Sequence, residues 1–180
     1  VTHDTILLVT DTIPINIGLL GSYAQPLYGD EIEISLFKYP QTVIDAVKSD
    51  PPDVLAMSNY CWNSHLTERL AQVAQESNPD VITIQGGTNF PNQPDQCRDF
   101  LLSRSSTDIY VELEGESGFT NIIARILETR SSGDDLFAAA IDGCLFIDPP
   151  SRFSAHPILV KGEMPARMSQ LDAIPSPYLN

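Results

Sequence analysis

Basic residues are scarce in this sequence. Ten Lys and Arg stand against 24 Asp and Glu, a formal net charge of -14 over 180 residues. A surface of that sign repels a phosphate backbone, so nucleic acid is not an expected partner. Long apolar runs are missing as well; none approaches membrane-spanning length, and a membrane is not an expected partner either. No basic segment followed by an apolar one opens the chain, so no secretion signal is expected. Cysteine is limited to Cys61, Cys97 and Cys144, an odd number at wide spacing. That fits neither a disulfide framework nor a zinc ribbon, and it points to a reducing, cytoplasmic setting.

What is present alternates. Short apolar runs at residues 5–10, 53–58, 81–85 and 108–113 read as buried strands, and the strict alternation of EIEISLF at 31–37 reads as an edge strand. Between them lie helical stretches at 17–27, 42–48 and 95–103. Another is capped by Asn63 or Ser64 and carries the stripe Leu66, Leu70, Val73, Ala74. The clearest stripe is Phe119, Ile122, Ile123, Ile126 and Leu127, with Ser117 as its cap and Gly133 as its end. Strand and helix repeated five times predict an α/β, flavodoxin-like (Rossmann-like) fold: a five-stranded parallel sheet, order 2-1-3-4-5, with helices on both faces. Residues 1–133 are read as this domain. Residues 134–180, with short apolar runs between prolines, are read as a hairpin extension and a linker.

Right-handed crossovers bring every strand-to-helix loop to the carboxyl edge of such a sheet, where ligands bind. Residues 10–16, 58–63, 86–92 and 113–117 are therefore expected to converge. The first loop has no glycine, which excludes the dinucleotide fingerprint and the P-loop. Its hydroxyls, Thr10 and Thr12, are a weak basis for a flavin-phosphate loop. A phosphorylatable receiver needs an aspartate after the third strand, where Ser58 stands.

Other features fall into one pattern. Asp11 opens the first loop, and 41 positions, residues 17–57, separate it from Ser58-Asn59-Tyr60. A further 25 positions, residues 61–85, lead to Gly86-Gly87. These intervals resemble the D-x-H-x-x-G, S-x-L, G-G pattern of cobalamin-binding domains. GGTNFP at 86–91 is similar to the glycine loop of such domains in cobalamin-dependent radical S-adenosylmethionine proteins. DIYVELEGESGF at 108–119 resembles their D-x-x-x-x-G-E-G-E-x-x-[FL] segment, with Gly115 and Glu116 matched. IDGCLFID and LDAIPSPYL resemble the hairpin and the segment that precede their catalytic barrel.

The resemblance implies a cobalamin site built from Thr10, Asp11, Ile13 and Asn16, from Ser58, Asn59, Tyr60 and Trp62, from Gly86, Gly87 and Thr88, and from Gly115 and Glu116. It implies that the benzimidazole tail enters between sheet and helix, past the glycines, with Ser58 bonding its nitrogen. Ile13 stands where the family can carry a cobalt-ligating histidine, so the cofactor is expected base-off and His-off, and no protein metal ligand is expected. A [4Fe-4S] cluster and S-adenosylmethionine are expected only in a following radical S-adenosylmethionine domain, the chain's partner besides cobalamin. His65, in a first helical turn, is expected to be a solvent-facing or cap-region side chain. Two other readings stay open: a degenerate domain that scaffolds the catalytic domain, suggested by Asn16 for glycine and Tyr60 for leucine, and a module for another flat ligand.

Overall fold

The computed structural model describes residues 4–9, 15–169, 172 and 174–178, with the side chains of Asp4, Leu8 and Val9 excepted. Three residues expected in the site, Thr10, Asp11 and Ile13 of the first loop, lie outside the described residues.

The expected alternation forms. β1 (Asp4–Val9) is followed by α1 (Ile15–Tyr28), β2 (Ile32–Phe37) by α2 (Pro40–Ser49), β3 (Val54–Ser58) by α3 (Ser64–Ser77), β4 (Ile82–Gly86) by α4 (Pro94–Ser103), and β5 (Ile109–Val111) by α5 (Gly115–Ser132). Pro40 and Pro94 open α2 and α4, where a missing N–H costs nothing. Gly133, in the left-handed conformation at φ 77°, closes α5 and donates its N–H to the Thr129 carbonyl. The cap of α5 is Glu114 rather than Ser117, because the helix starts at Gly115.

The strand order is β2-β1-β3-β4-β5-β6-β7. The first five strands are parallel and in the expected order. The expectation of a five-stranded sheet is corrected to seven. β6 (Cys144–Ile147) pairs antiparallel with β5, and β7 (Leu159–Lys161) pairs antiparallel with β6. The hairpin thus continues the sheet instead of standing apart. The reason is in the run CLFI, which is apolar at every position and buried at every position. Cys144 and Phe146 pack on the α1/α5 face, while Leu145 and Ile147 pack on the α4 face. A strand buried on both faces needs a neighbour on each side, and the free edge of β5 supplies one.

The sheet divides the core. One face holds Ile6, Val54, Ala56, Ile84, Ile109 and Val111 beneath α1 and α5. The other holds Leu7, Leu55 and Met57 beneath α2 and α3, and Tyr110 beneath α4. Fully buried side chains such as Phe119 and Leu101 each contribute roughly 1.5–3 kcal/mol. α1 buries a row of small residues, Gly18, Gly21 and Ala24, which brings it close to its neighbours. Tyr28 Oη donates to the Thr120 carbonyl at 2.6 Å and ties α1 to α5.

After β7 the chain returns along the carboxyl edge. The Gly143 N–H donates to the Glu163 carbonyl, the Met168 N–H donates to Glu114 Oε2, and Pro177 lies over Gly18 of α1. Among the described residues no helix is long and apolar enough to cross a membrane.

Candidate functional site at the carboxyl edge of the sheet

Ser58 and Gly86 are register partners at the ends of β3 and β4. The pairing runs one step further, since the Asn59 N–H donates to the Gly86 carbonyl at 2.6 Å. The chain then has to turn away on both sides, and Gly87 makes that possible. Its φ is +134°, a conformation only glycine adopts readily, and a β-carbon there would overlap the Asn59 carbonyl. Gly86 differs. A β-carbon on it would meet Val111 O at 3.4 Å and Val111 Cβ at 3.5 Å, ordinary contacts.

Buried polar groups hold this loop. Asn59, fully buried, donates through Nδ2 to Gln85 Oε1 and accepts at Oδ1 from Asn89 Nδ2 at 2.8 Å. Tyr110 Oη donates to the Gly87 carbonyl at 3.0 Å, and burial raises the pKa of that phenol, which keeps it a donor. The Tyr110 ring stacks on Phe90, with centroids 3.9 Å apart and planes 16° apart.

These elements enclose a cavity of about 560 Å³, within the range of about 300–1,000 Å³ typical of small-molecule sites. Its floor is apolar: Ala56, Ile84, Val111 and Phe119, with Ile17 and Leu20 of α1. Polar residues line it as well, namely Glu112, Glu114, Glu116, Asn16 and Asn92. Glu112 is tied to the hairpin by Lys161, whose Nζ lies 2.9 and 2.8 Å from its two oxygens.

Of the residues singled out from sequence, Asn16, Ser58, Tyr60, Gly86, Gly87, Thr88, Gly115 and Glu116 all line this cavity. Asn59 lies beneath the glycine loop and supports it. Trp62 is 65% exposed and stacks on the outer side of Tyr60, with centroids 4.8 Å apart. His65 is exposed in the first turn of α3. Asn63, at the cap position of α3, makes no side-chain cap bond; it accepts at Oδ1 from the Tyr60 N–H and donates through Nδ2 to the Ser58 carbonyl.

The cysteines have separate fates. Cys61 is exposed, whereas Cys97 and Cys144 are buried. Burial pushes the Cys144 thiol up to about 12 and raises Cys97 as well, so both remain thiols. Among the described residues no group of three or more His, Cys, Asp or Glu could hold a metal ion.

Phe90, Tyr110, Glu112, Leu113 and Glu114 were not named as site residues from the sequence. Leu113 carried a legible signal. It stands where the D-x-x-x-x-G-E-G-E segment has its first glycine, and its φ is +50°, in the left-handed region. The glycine of that pattern answers a backbone requirement that this chain meets with leucine.

No protein-family model matches the chain. Among curated proteins it is 28% identical over 173 residues to the cobalamin-dependent radical SAM methyltransferase TokK of Streptomyces tokunonensis, covering 93% of this chain and 23% of that protein. It is 30% identical over 118 residues to the 2-(S-pantetheinyl)-carbapenam-3-carboxylate methyltransferase of Streptantibioticus cattleyicolor, covering 62% of this chain and 16% of that protein. The chain thus spans less than a quarter of either relative. Among solved structures, the cobalamin-dependent S-adenosylmethionine radical enzyme OxsB with aqua-cobalamin and S-adenosylmethionine bound matches with a TM-score of 0.62 at 14% identity, over 92% of this chain and 23% of that one. A cobalamin-binding protein from Desulfitobacterium hafniense matches with a TM-score of 0.50 at 17% identity, over 68% of this chain and 58% of that one. The structural likeness is one of fold. The resemblance read from the motifs and the likeness of the curated relatives point to the same kind of protein.

Proposed function

We propose that this chain is a cobalamin-binding module of a cobalamin-dependent radical S-adenosylmethionine enzyme. The observation that carries the reading is the cavity itself. It opens at the carboxyl edge, has an apolar slot between α1, α5 and the sheet, and is lined by Ser58 and Gly86 at the ends of adjacent strands. The ligand fits that chemistry. Cobalamin carries a flat aromatic tail, which suits the slot floored by Ala56, Ile84 and Phe119. It also has a rim of amide N–H donors, which suits Glu116 and Asn92.

On this reading Ser58 is the hydroxyl that bonds the buried benzimidazole. Gly86 leaves room beside Val111 for the tail. Gly87 acts differently, since with Asn59, Gln85 and Tyr110 it fixes the loop that presents Thr88 and Phe90 to the ligand. Thr10, Asp11 and Ile13 complete the site from the first loop. Bound cobalamin supplies a nucleophilic cobalt suited to methyl transfer. The cofactor is held base-off with no histidine on the metal. Residues 1–133 carry the site, and 134–180 add the hairpin and lead toward a catalytic domain that holds the [4Fe-4S] cluster and S-adenosylmethionine. The protein works in the cytoplasm, without nucleic-acid or membrane partners. The degenerate-scaffold reading is not favoured, because Asn16 and Tyr60, whose bulk suggested it, line the cavity rather than fill it.

Electron paramagnetic resonance of cob(II)alamin added to the chain tests this. The expected spectrum is that of bound cob(II)alamin without nitrogen superhyperfine splitting. A triplet splitting lost in His65→Ala would assign a histidine ligand and overturn the His-off expectation; one retained in that variant would show benzimidazole still on cobalt and contradict the buried-tail reading.

A further inference from the structure

Asn16 Nδ2 donates a hydrogen bond to Tyr60 Oη, joining two walls of the cavity that are 44 residues apart in sequence. Asn16 stands in the first turn of α1, and Tyr60 in the loop between β3 and α3. Ile17, Leu20 and Ala56 of the apolar slot line the same cavity as these two residues.

Tyr60 is held at its backbone, its ring face and its hydroxyl. Its own N–H donates to Asn63 Oδ1 at 2.7 Å, and Asn63 Nδ2 donates to the Ser58 carbonyl at 2.9 Å, which pins the loop to the end of β3. Trp62 lies flat on the ring at an interplanar angle of 9°. The hydroxyl then meets Asn16. Fixing three side chains at an exposed rim costs conformational entropy, so the arrangement holds a definite shape at the mouth rather than filling the core.

We infer that the Asn16–Tyr60 bond is a latch that makes the site discriminate between corrinoids by their nucleotide tail. This rests on the cobalamin reading above. The latch ties α1 to the β3–α3 loop when no ligand is present. A tail-bearing corrinoid must break it to enter the slot, whereas a corrinoid without a tail occupies the mouth and leaves it closed. A single hydrogen bond between neutral side chains has a small net worth, so the latch biases affinity by about fivefold.

The test compares hydroxocobalamin with aquacobinamide, which lacks the nucleotide tail, by spectrophotometric titration of the 180-residue chain. Tyr60→Phe keeps the ring and its stack on Trp62 but removes the bond. The preference for the tail-bearing ligand, taken as the ratio of the two Kd values, should rise about fivefold. Asn16→Ala should raise it equally, and the double variant should raise it no further, since both changes remove one bond. A ratio that is unchanged, that falls, or that rises additively in the double variant overturns the latch alone. Failure of both corrinoids to bind the unaltered chain overturns the cobalamin reading, and the latch with it.

Discussion

Gly87 and Asn59 interlock. The space a β-carbon on Gly87 would need is held by the Asn59 carbonyl, and Asn59 is itself fixed by Gln85 and Asn89. Gly87→Ala should therefore destabilise the fold, with or without ligand, by roughly 2–4 kcal/mol, from combined backbone strain and overlap. Gly86→Ala meets ordinary contacts and should cost about 1 kcal/mol or less. Denaturant unfolding of the two variants checks the contrast. Equal losses would mean that the glycines do not divide their roles.

Leu113 sits at φ +50° with its side chain 71% exposed, so it has strain to lose and little packing to give up. Leu113→Gly should raise stability by about 0.5–1 kcal/mol, the relief of the left-handed conformation less the added freedom of the unfolded chain. A lower unfolding midpoint in guanidinium chloride would show that Leu113 makes a contact worth more than that strain.

Asp108 provides a pH test. Burial raises its pKa, against the pull of the Thr83 N–H and hydroxyl and of Arg152. A carboxyl whose folded pKa exceeds its unfolded one favours the fold in its protonated form. Its contribution is thus largest below the ordinary Asp range, near pH 4, and is lost as pH rises through the raised folded value. The stability of the unaltered chain minus that of Asp108→Asn should fall as pH is raised from about 4 toward 7. A difference that stays constant or rises would place the folded pKa at or below the ordinary value.

The parallel core was legible because its signals are local. Runs such as VLAMS at β3 and the stripe from Phe119 to Ile126 state burial and period directly. β6 and β7 were legible as a hairpin but not as members of the sheet. They span only four and three residues, and the partner of β6 is β5, which the whole of α5 separates from it. The site was legible where residue type and interval both counted, as at Ser58 and Gly86. It was obscured where a residue serves the loop rather than the ligand: Asn59 reads as a polar wall in sequence and is a buried brace in the fold. Tyr110 is fully buried with Phe90 packed on it, and both line the cavity; residue type alone did not mark either for the site.

The central claim is that the slot beneath Gly86 receives the tail of cobalamin. Equilibrium dialysis of hydroxocobalamin against the unaltered chain and against Gly86→Leu tests it most directly, with circular dichroism confirming that the variant is folded. Leucine at this position extends from a β-carbon that the backbone tolerates into the space beside Val111. The account predicts binding by the unaltered chain and a loss of at least about tenfold in affinity in the variant, the scale of overpacking a site by roughly 1–3 kcal/mol. Equal affinity in the two proteins would contradict it, because the tail would then lie elsewhere.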